Sequence, residues 1–463
     1  MQTVFNQSIW GDEGFSAILS MKSLPEIITI ISHDTSPPLW NIMEHLVFKI
    51  FGSGEIVIRS LSFLFFLIAV IFAYKIADFL WNRKTALLAG ILTFLNPFFF
   101  TYAFEGRMYS ILAAGITASF YFFIKIMWSG QKVKWGDKIG YIIFTLWALY
   151  SHHFAIFALF VQGLWFIKEL LTGNKDLAFK IFKLFIIVAV FYLPWIYPLY
   201  TQTKMVGGGF WLGTPTPTDL RNLIYDYLAE GIKSYPLEIP IIKLALHEFA
   251  LYLVFLILIT HSWRKDIKKT VFLLSWFLVP ILSTFIISQA FQSIFFNRYL
   301  LYVIPPAMLI LASRGTKTTG IFVGALVFTF VTIDYHYFTH PTKKPFSDLA
   351  TYVLQTKGSD DFLINWNSKS HHLWESKYYK IPSPIYISGG GELPFFVGTA
   401  LMEEGDVIKK MPEGVQRVGV IISGNLEEIN LPGYTQERIA TFRNRFSGDS
   451  INFVWYKKTK GGL

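Results

Sequence analysis

The sequence predicts a polytopic α-helical membrane protein that ends in a small α/β domain. Three observations predict it. The 463 residues are 53% hydrophobic and only 16% charged, with a mean hydropathy of +0.44, whereas an average soluble domain carries about 25% charge. Between residues 57 and 337, apolar runs recur at the length of roughly 20 residues that a helix needs to cross a hydrocarbon core about 30 Å thick. From about residue 341 the texture changes to short apolar runs bounded by turn residues. This composition excludes a disordered chain, a coiled coil and an ordinary cytosolic enzyme. Cys is absent, which excludes a disulfide framework, a thiol nucleophile and a Cys-ligated metal.

The chain opens with Met1 to Trp10, which has neither a basic region nor an apolar core of the signal-peptide kind. Residues 1–56 read as a first external loop carrying acidic residues and one interfacial helix. Pro37 and Pro38 cannot lie inside a helix but can begin one. Leu39 to Phe51 has apolar residues at helical spacing and should lie in the membrane interface. Residues 57–340 read as a membrane domain of about ten spans, near 57–80, 85–103, 108–127, 139–152, 153–171, 181–201, 244–262, 270–289, 298–313 and 319–337. The run 139–171 is too long for one helix and breaks at its polar cluster, Ser151-His152-His153.

Residues 341–463 read as the α/β domain. Asp361 to Trp366, Pro384 to Ile387, Arg417 to Ile422 and Ile451 to Tyr456 are short strands, and Ser347 to Leu354 is an amphipathic helix. Gly389-Gly390-Gly391 is not followed by a phosphate-loop pattern, so it reads as a turn.

The net charge is 41 − 31 = +10. One alternating set of loops holds Arg83, Lys84, Lys125, Lys132, Lys134, Lys138, Lys168, Lys175, Lys180, Lys183, Arg264, Lys265, Lys268, Lys269, Arg314 and Lys317. The other set holds only Lys22, Lys49, Arg59, Arg107, Lys204, Arg221, Lys233, Lys243 and Arg298, spread over longer segments. The positive-inside rule puts the first set in the cytoplasm and both chain ends outside. The basic excess is therefore a topology signal and makes no claim on nucleic acid.

The informative charges are the minority expected outside. Asp12 and Glu13 follow Trp10-Gly11. Asp34 and Ser36 precede Pro37-Pro38, where helix capping is their simplest use. Glu105 and Arg107 occur in Phe104-Glu-Gly-Arg-Met-Tyr109, and Arg298 and Tyr299 in Phe296-Asn-Arg-Tyr-Leu300. An Arg at a membrane boundary can snorkel to lipid headgroups or bind phosphate bidentately. His152 and His153 are donor contacts or metal ligands, and adjacent side chains point apart, so at most one joins a given site. A lipid-linked phosphate would place its headgroup at such a face and its tail between helices.

On these residues the sequence resembles the membrane-embedded GT-C glycosyltransferases of the protein O-mannosyltransferase and aminoarabinose-transferase type. The resemblance is carried by Trp10-Gly-Asp12-Glu13, Asp34-Thr-Ser-Pro37-Pro38-Leu39, Phe51-Gly52 followed by Glu55 and Arg59, Asn96-Pro97, Glu105-Gly-Arg107-Met-Tyr109, His152-His153, Phe210-Trp211, Arg298-Tyr299 and Pro305. Their order and spacing run over about 300 residues; each is weak alone and the set is specific. The tail resembles the small extracytoplasmic domain of many bacterial members. The resemblance implies a GT-C fold in a bacterial- or archaeal-type plasma membrane. It also implies an inverting transfer from a polyprenyl-phosphate sugar donor to a protein, glycolipid or polysaccharide acceptor on the extracytoplasmic face.

It further implies catalytic roles for Asp12 as general base, Glu13 as its orienting or acceptor-contacting neighbour, and Asp34 as the second acid. Arg107 and Arg298, with Tyr109 and Tyr299, would bind the donor phosphate, and His152, His153 and Glu105 are candidate donor or metal contacts. No cofactor follows from it beyond a candidate divalent cation, for which the spacing of Asp12, Glu13, Asp34 and His152 is not diagnostic. Two departures stand out. The family's first membrane helix precedes the acid pair, where only about ten residues stand here; a start site placed too far downstream would account for it. The family often has His where Ser36 stands.

The chemistry agrees with the resemblance. A phosphate leaves readily, so one carboxylate that takes the acceptor's proton is enough, and Arg groups stabilise the charge that develops on the leaving phosphate. The rival readings are a lipid-linked oligosaccharide transporter or flippase, a polymer ligase, and a non-catalytic scaffold. A transporter predicts charges buried in mid-span and two similar halves, and no repeat is seen.

Overall fold

In the computed structural model, residues 3–129, 133–231, 241–260, 266–313, 317–366 and 372–459 are described. Lys132, Lys233, Arg264, Lys265 and Arg314 of the charge pattern lie outside them. The segment expected as an external loop with one helix holds that helix, α3 (Leu39–Phe51), and two more before it, α1 (Gly11–Ser20) and α2 (Leu24–Ile31). The Ser23 N–H and hydroxyl bond the Glu26 carboxylate at the start of α2, a capping-box exchange. α3 begins at Pro38 without a side-chain cap, so capping is not what Asp34 and Ser36 do.

The membrane body follows: α4 (Glu55–Leu80), α5 (Arg83–Phe94), α6 (Pro97–Tyr102), α7 (Tyr109–Trp128), α8 (Trp135–Ser151), α9 (Ala155–Leu171), α10 (Lys175–Tyr192), α11 (Ile196–Gly207), α12 (Pro217–Tyr225), α13 (Ile241–Thr260), α14 (Ile267–Ala290), α15 (Ile304–Ala312) and α16 (Lys317–Thr339). Among the described residues, five stretches are long and apolar enough to cross a membrane: Glu55–Leu80, Tyr109–Trp128, Lys175–Gly207, Ile267–Ala290 and Thr319–Thr339. Phe191, Ile286 and Phe328 are among the large apolar side chains left exposed on this body, as lipid solvation requires and water does not allow at this density.

The break at Ser151-His152-His153 falls between α8 and α9, as expected. The run 85–103 is not one span. Asn96 turns the chain by accepting from the Phe99 N–H at 3.0 Å, with Pro97 opening α6; Pro supplies no backbone donor, so it is tolerated there and breaks the longer helix. The expected span 298–313 is likewise a 3₁₀ stretch, Asn297–Val303, running into the nine-residue α15.

The tail begins with α17 (Phe346–Thr356) and contains α18 (Leu373–Tyr378). Its strands β1 (Phe362–Trp366), β2 (Ile385–Tyr386), β3 (Val407–Ile408), β4 (Arg417–Ile422), β5 (Tyr434–Arg443) and β6 (Ser450–Lys458) form one sheet in the order β3-β2-β1-β4-β6-β5. The β3-β2-β1-β4 part is parallel, and β6 pairs antiparallel with both β4 and β5. One face packs Leu363, Ile421, Phe453 and Trp455 against α17 residues Leu349 and Val353.

The tail is seated on the N-terminal helices. The Phe15 and Trp374 rings meet edge to face at 5.3 Å. A Cβ on Gly14 would lie 3.0 Å from the Trp374 carbonyl carbon, so α1 and α18 approach at glycine distance. The Tyr379 hydroxyl accepts from the Ile9 N–H at 2.9 Å and donates to Glu55 at 2.8 Å.

Candidate functional site

The acids and Arg residues expected to act together are brought together at one end of the helical body. α1 contributes the Trp10-Gly-Asp12-Glu13 corner, the α2–α3 connection Asp34, and the α6–α7 connection Glu105 and Arg107. The stretch before α15 contributes Arg298 and Tyr299.

The two adjacent acids have separate fates. Glu13 is fully buried and takes Arg59 in a bidentate pair, Nη2 to Oε2 at 2.7 Å and Nε to Oε1 at 3.2 Å. Its Oε1 also accepts from the Gly106 N–H at 2.8 Å. Burial acts to raise this carboxyl, but the charge and hydrogen bonds of Arg59 outweigh it and hold Glu13 below the ordinary carboxylate range. The Arg59 guanidinium also donates to the carbonyls of Phe5, Gln7 and Ser8. Glu13 is therefore a structural anchor with its oxygens occupied.

Asp12, one residue earlier and on another face of the helix, keeps a side chain 37% exposed while its Oδ2 accepts from Arg298 Nη2 at 2.9 Å. It is the accessible carboxylate of the corner. Asp34 is buried close to Asp12 and Arg107; desolvation pushes its carboxyl up against the opposing pull of the Thr35 N–H and Arg107.

Arg107 donates from Nη1 to the Asp12 carbonyl at 3.1 Å. Arg298 reaches Glu105 Oε1 from Nη1 at 3.3 Å. Its guanidinium also lies 5.3 Å from the Trp10 ring, 5.3 Å from Tyr109 and 4.8 Å from Phe296. Among the described residues, the buried Nε of each Arg has no hydrogen-bond partner. Two cations are held here by carboxylates and carbonyls, each with donor capacity of the kind an anion can take. The Tyr109 and Tyr299 rings meet at a tilt, 6.0 Å between ring centres.

The two histidines diverge, as adjacent side chains must. The His152 ring meets Tyr299 at 4.8 Å on the site side. His153 Nε2 pairs with Gln202 Oε1 at 2.6 Å, and the Gln202 amide donates to the Ile31 carbonyl at 2.8 Å; His153 thus braces the α8–α9 connection, through α11, to the end of α2. Among the described residues, no three His, Asp or Glu side chains come together as a metal site.

Below the corner, a second polar cluster joins α1 to α3. The Ser16 and Ser20 hydroxyls donate to Glu44 Oε2 at 2.9 and 2.7 Å, and Trp40 Nε1 donates to Ser16 Oγ at 2.8 Å. Glu44 is fully buried, and its carboxyl is pushed up to about 8 by desolvation.

Sequence reasoning missed Lys343. Its ammonium lies 4.2 Å from the centre of the Trp10 ring and 3.6 Å from Glu105 Oε2. A signal existed: Lys343-Lys344 directly follows the last span, on the side where the charge pattern leaves basic residues scarce. An aromatic run at the rim was also only half legible. Phe210-Trp211 stood among the motifs, and Phe210 meets Phe395 and Phe396 of the tail, each at 6.0 Å. Trp211 meets Phe296 at 5.0 Å.

The protein family described as dolichyl-phosphate-mannose-protein mannosyltransferase matches residues 35–197. No curated protein matches the chain. Among solved structures, ArnT from Cupriavidus metallidurans in the apo state aligns over 97% of this chain and 94% of its own, at 11% identity and a TM-score of 0.61. ArnT from the same organism bound to undecaprenyl phosphate aligns over 97% and 95%, at 12% identity and a TM-score of 0.55. At these identities the likeness is one of fold. The chain thus shares the ArnT fold over nearly its whole length and, over residues 35–197, is similar to the dolichyl-phosphate-mannose-protein mannosyltransferase family.

Proposed function

We propose that this chain moves a sugar from a polyprenyl-phosphate donor to an acceptor hydroxyl on the extracytoplasmic membrane face, with inversion at the anomeric carbon. Asp12 is the general base. Arg107 and Arg298 hold the donor phosphate, with Tyr109 and Tyr299 walling that side. The observation that carries the reading is the pairing of the exposed Asp12 carboxylate with Arg298 beside Arg107. A candidate base and a candidate phosphate ligand thus stand side by side in one corner, where an acceptor hydroxyl and the donor phosphate can be held together.

In the reaction, the acceptor O–H gives its proton to Asp12 as its oxygen bonds the anomeric carbon. The bond from that carbon to the phosphate oxygen breaks on the opposite face, and its electron pair leaves with the lipid phosphate. The fold shared with a protein that binds undecaprenyl phosphate supports the donor class.

The test is transfer by purified protein from polyprenyl-phosphate hexoses to candidate acceptors, wild type against Asp12→Asn. General-base catalysis contributes about 10²–10⁴ in rate, so Asp12→Asn should lose at least a hundredfold in kcat while still binding undecaprenyl phosphate. Full turnover by the Asn variant rejects Asp12 as the base. Failure of the wild type to bind any polyprenyl phosphate rejects the donor class.

A further inference from the structure

We propose that Lys343, on the segment joining the last membrane helix to the C-terminal sheet, is a third ligand of the donor phosphate and sets the charge balance of the site. The inference rests on the donor-phosphate reading above and adds to it a residue from outside the helical body.

Lys343 is fixed from both sides. Its N–H donates to Gln7 Oε1 at 3.1 Å, and its carbonyl accepts from Asn444 Nδ2 at 2.7 Å. The N-terminal segment and the β5–β6 turn thus hold its backbone while its side chain runs onto the Trp10 ring. Glu105 spans two cations, with Oε1 on Arg298 and Oε2 on Lys343. The Trp10 ring faces the same two cations. Lys343 and Arg298 are therefore neighbours across one carboxylate and one indole, and the Lys343 side chain stays 25% exposed.

The charges then add up in a particular way. Glu13 and Arg59 cancel each other in their buried pair. Arg107, Arg298 and Lys343 remain as three cations facing Asp12, Glu105 and the buried Asp34, whose carboxyl is pushed up by burial against the pull of Arg107. A polyprenyl-phosphate sugar is a phosphodiester and brings one negative charge. During transfer the breaking bond leaves its electron pair on the phosphate, which goes from one negative charge to two, while Asp12 goes from one to none on accepting the proton. The sum is unchanged throughout. Without Lys343 the same site would carry one more negative charge from donor binding to product release. An ammonium suits this role because it is a point charge with three rotatable donors that can follow a developing oxyanion.

The experiment measures binding of undecaprenyl phosphate to the full chain in nanodiscs, with undecaprenol as the uncharged control. The variants are Lys343→Gln, Lys343→Met, Lys343→Arg and Lys344→Gln. A hydrogen bond to a charged group is worth about tenfold or more in affinity. We expect Lys343→Gln and Lys343→Met to weaken undecaprenyl phosphate binding by about tenfold, Lys343→Arg to restore most of it, and Lys344→Gln and undecaprenol binding to be unaffected. Lys343→Met keeps the stem on Trp10, so an equal loss in both neutral variants with rescue by Arg assigns the effect to charge.

Binding by both neutral variants within twofold of a wild type that binds would overturn the proposal and leave the donor reading standing. An equal loss in Lys343→Arg would also overturn it, assigning the effect to packing. A wild type that does not distinguish undecaprenyl phosphate from undecaprenol would overturn the donor reading itself.

Discussion

The residue that separates chemistry from architecture here is an acid, and its exposure decides which. Asp12 and Glu13 are adjacent and both carboxylates, yet one is accessible and the other is walled in by Arg59. Glu44 is a third case, an acid fully buried and held by two serine hydroxyls. Between the ordinary carboxylate range and about 8 the folded chain holds a proton on Glu44 that the unfolded chain has released. Its contribution to stability therefore falls as pH rises through that window, by about 1.4 kcal/mol per pH unit. The thermal midpoint should drop between pH 6 and 8, and Glu44→Gln should remove that part of the slope. An identical slope in the Gln variant would show that Glu44 is not the titrating group.

At this scale the sequence was informative about residue types and poor about their state. Asp12, Asp34, Arg107 and Arg298 were legible because charge is rare at the edge of an apolar span. That Glu13 is consumed by Arg59 was not, because nothing in a Glu-Arg separation of 46 positions announces a contact.

At the scale of elements, the α6–α7 connection is the tightest joint. A Cβ on Gly106 would lie 2.1 Å from the Ile58 Cγ2 and 3.3 Å from Glu13 Oε1. Gly106→Ala must therefore push the buried Ile58 side chain out of its place, displace α4 or break the bond from Gly106 to Glu13. Overpacking of this kind costs about 1–3 kcal/mol, and a lowered thermal midpoint with weaker undecaprenyl phosphate binding is the expected result, since Glu105 and Arg107 flank the same glycine. An unchanged midpoint would mean that the backbone there yields without strain.

Long apolar helices such as α4, α7 and α14 were legible from hydropathy alone. The break at Asn96 was missed because the apolar run continues on both sides of it. β5 was missed because Thr435-Gln-Glu-Arg438 lies at the sheet edge, exposed on both faces, so it has no alternation to read. The segment 11–31 was read as loop because α1 and α2 span only ten and eight residues, too short for a clear period.

At the scale of the molecule, the corner is assembled from parts far apart in the chain, and the tail is one of them. Asp12 and Arg298 are 286 positions apart, a pairing that no single sequence exposes. The tail reads from the sequence as a small α/β domain over residues 341–463, and it touches the corner: Tyr379 ties Ile9 to Glu55 and Lys343 reaches Trp10. Tyr379→Phe removes two hydrogen bonds, one of them to a carboxylate, at a cost of about 1–3 kcal/mol. The variant should lower the thermal midpoint and weaken undecaprenyl phosphate binding together, because the segment it releases carries Trp10 and Asp12. A midpoint loss with binding intact would show that the tail braces the fold without shaping the site.

The shortness of α5 has a consequence for the surrounding lipid. Twelve residues rise only about 18 Å, well below a hydrocarbon thickness of about 30 Å, and Leu87 and Ile91 on this helix face outward beside Val70 and Ile71 of α4 in an apolar groove of about 420 Å³. A bilayer meeting a surface that is too short thins to match it, at fractions of a kcal/mol per Å. Local thinning of the bilayer along this flank is the outcome that the short α5 predicts.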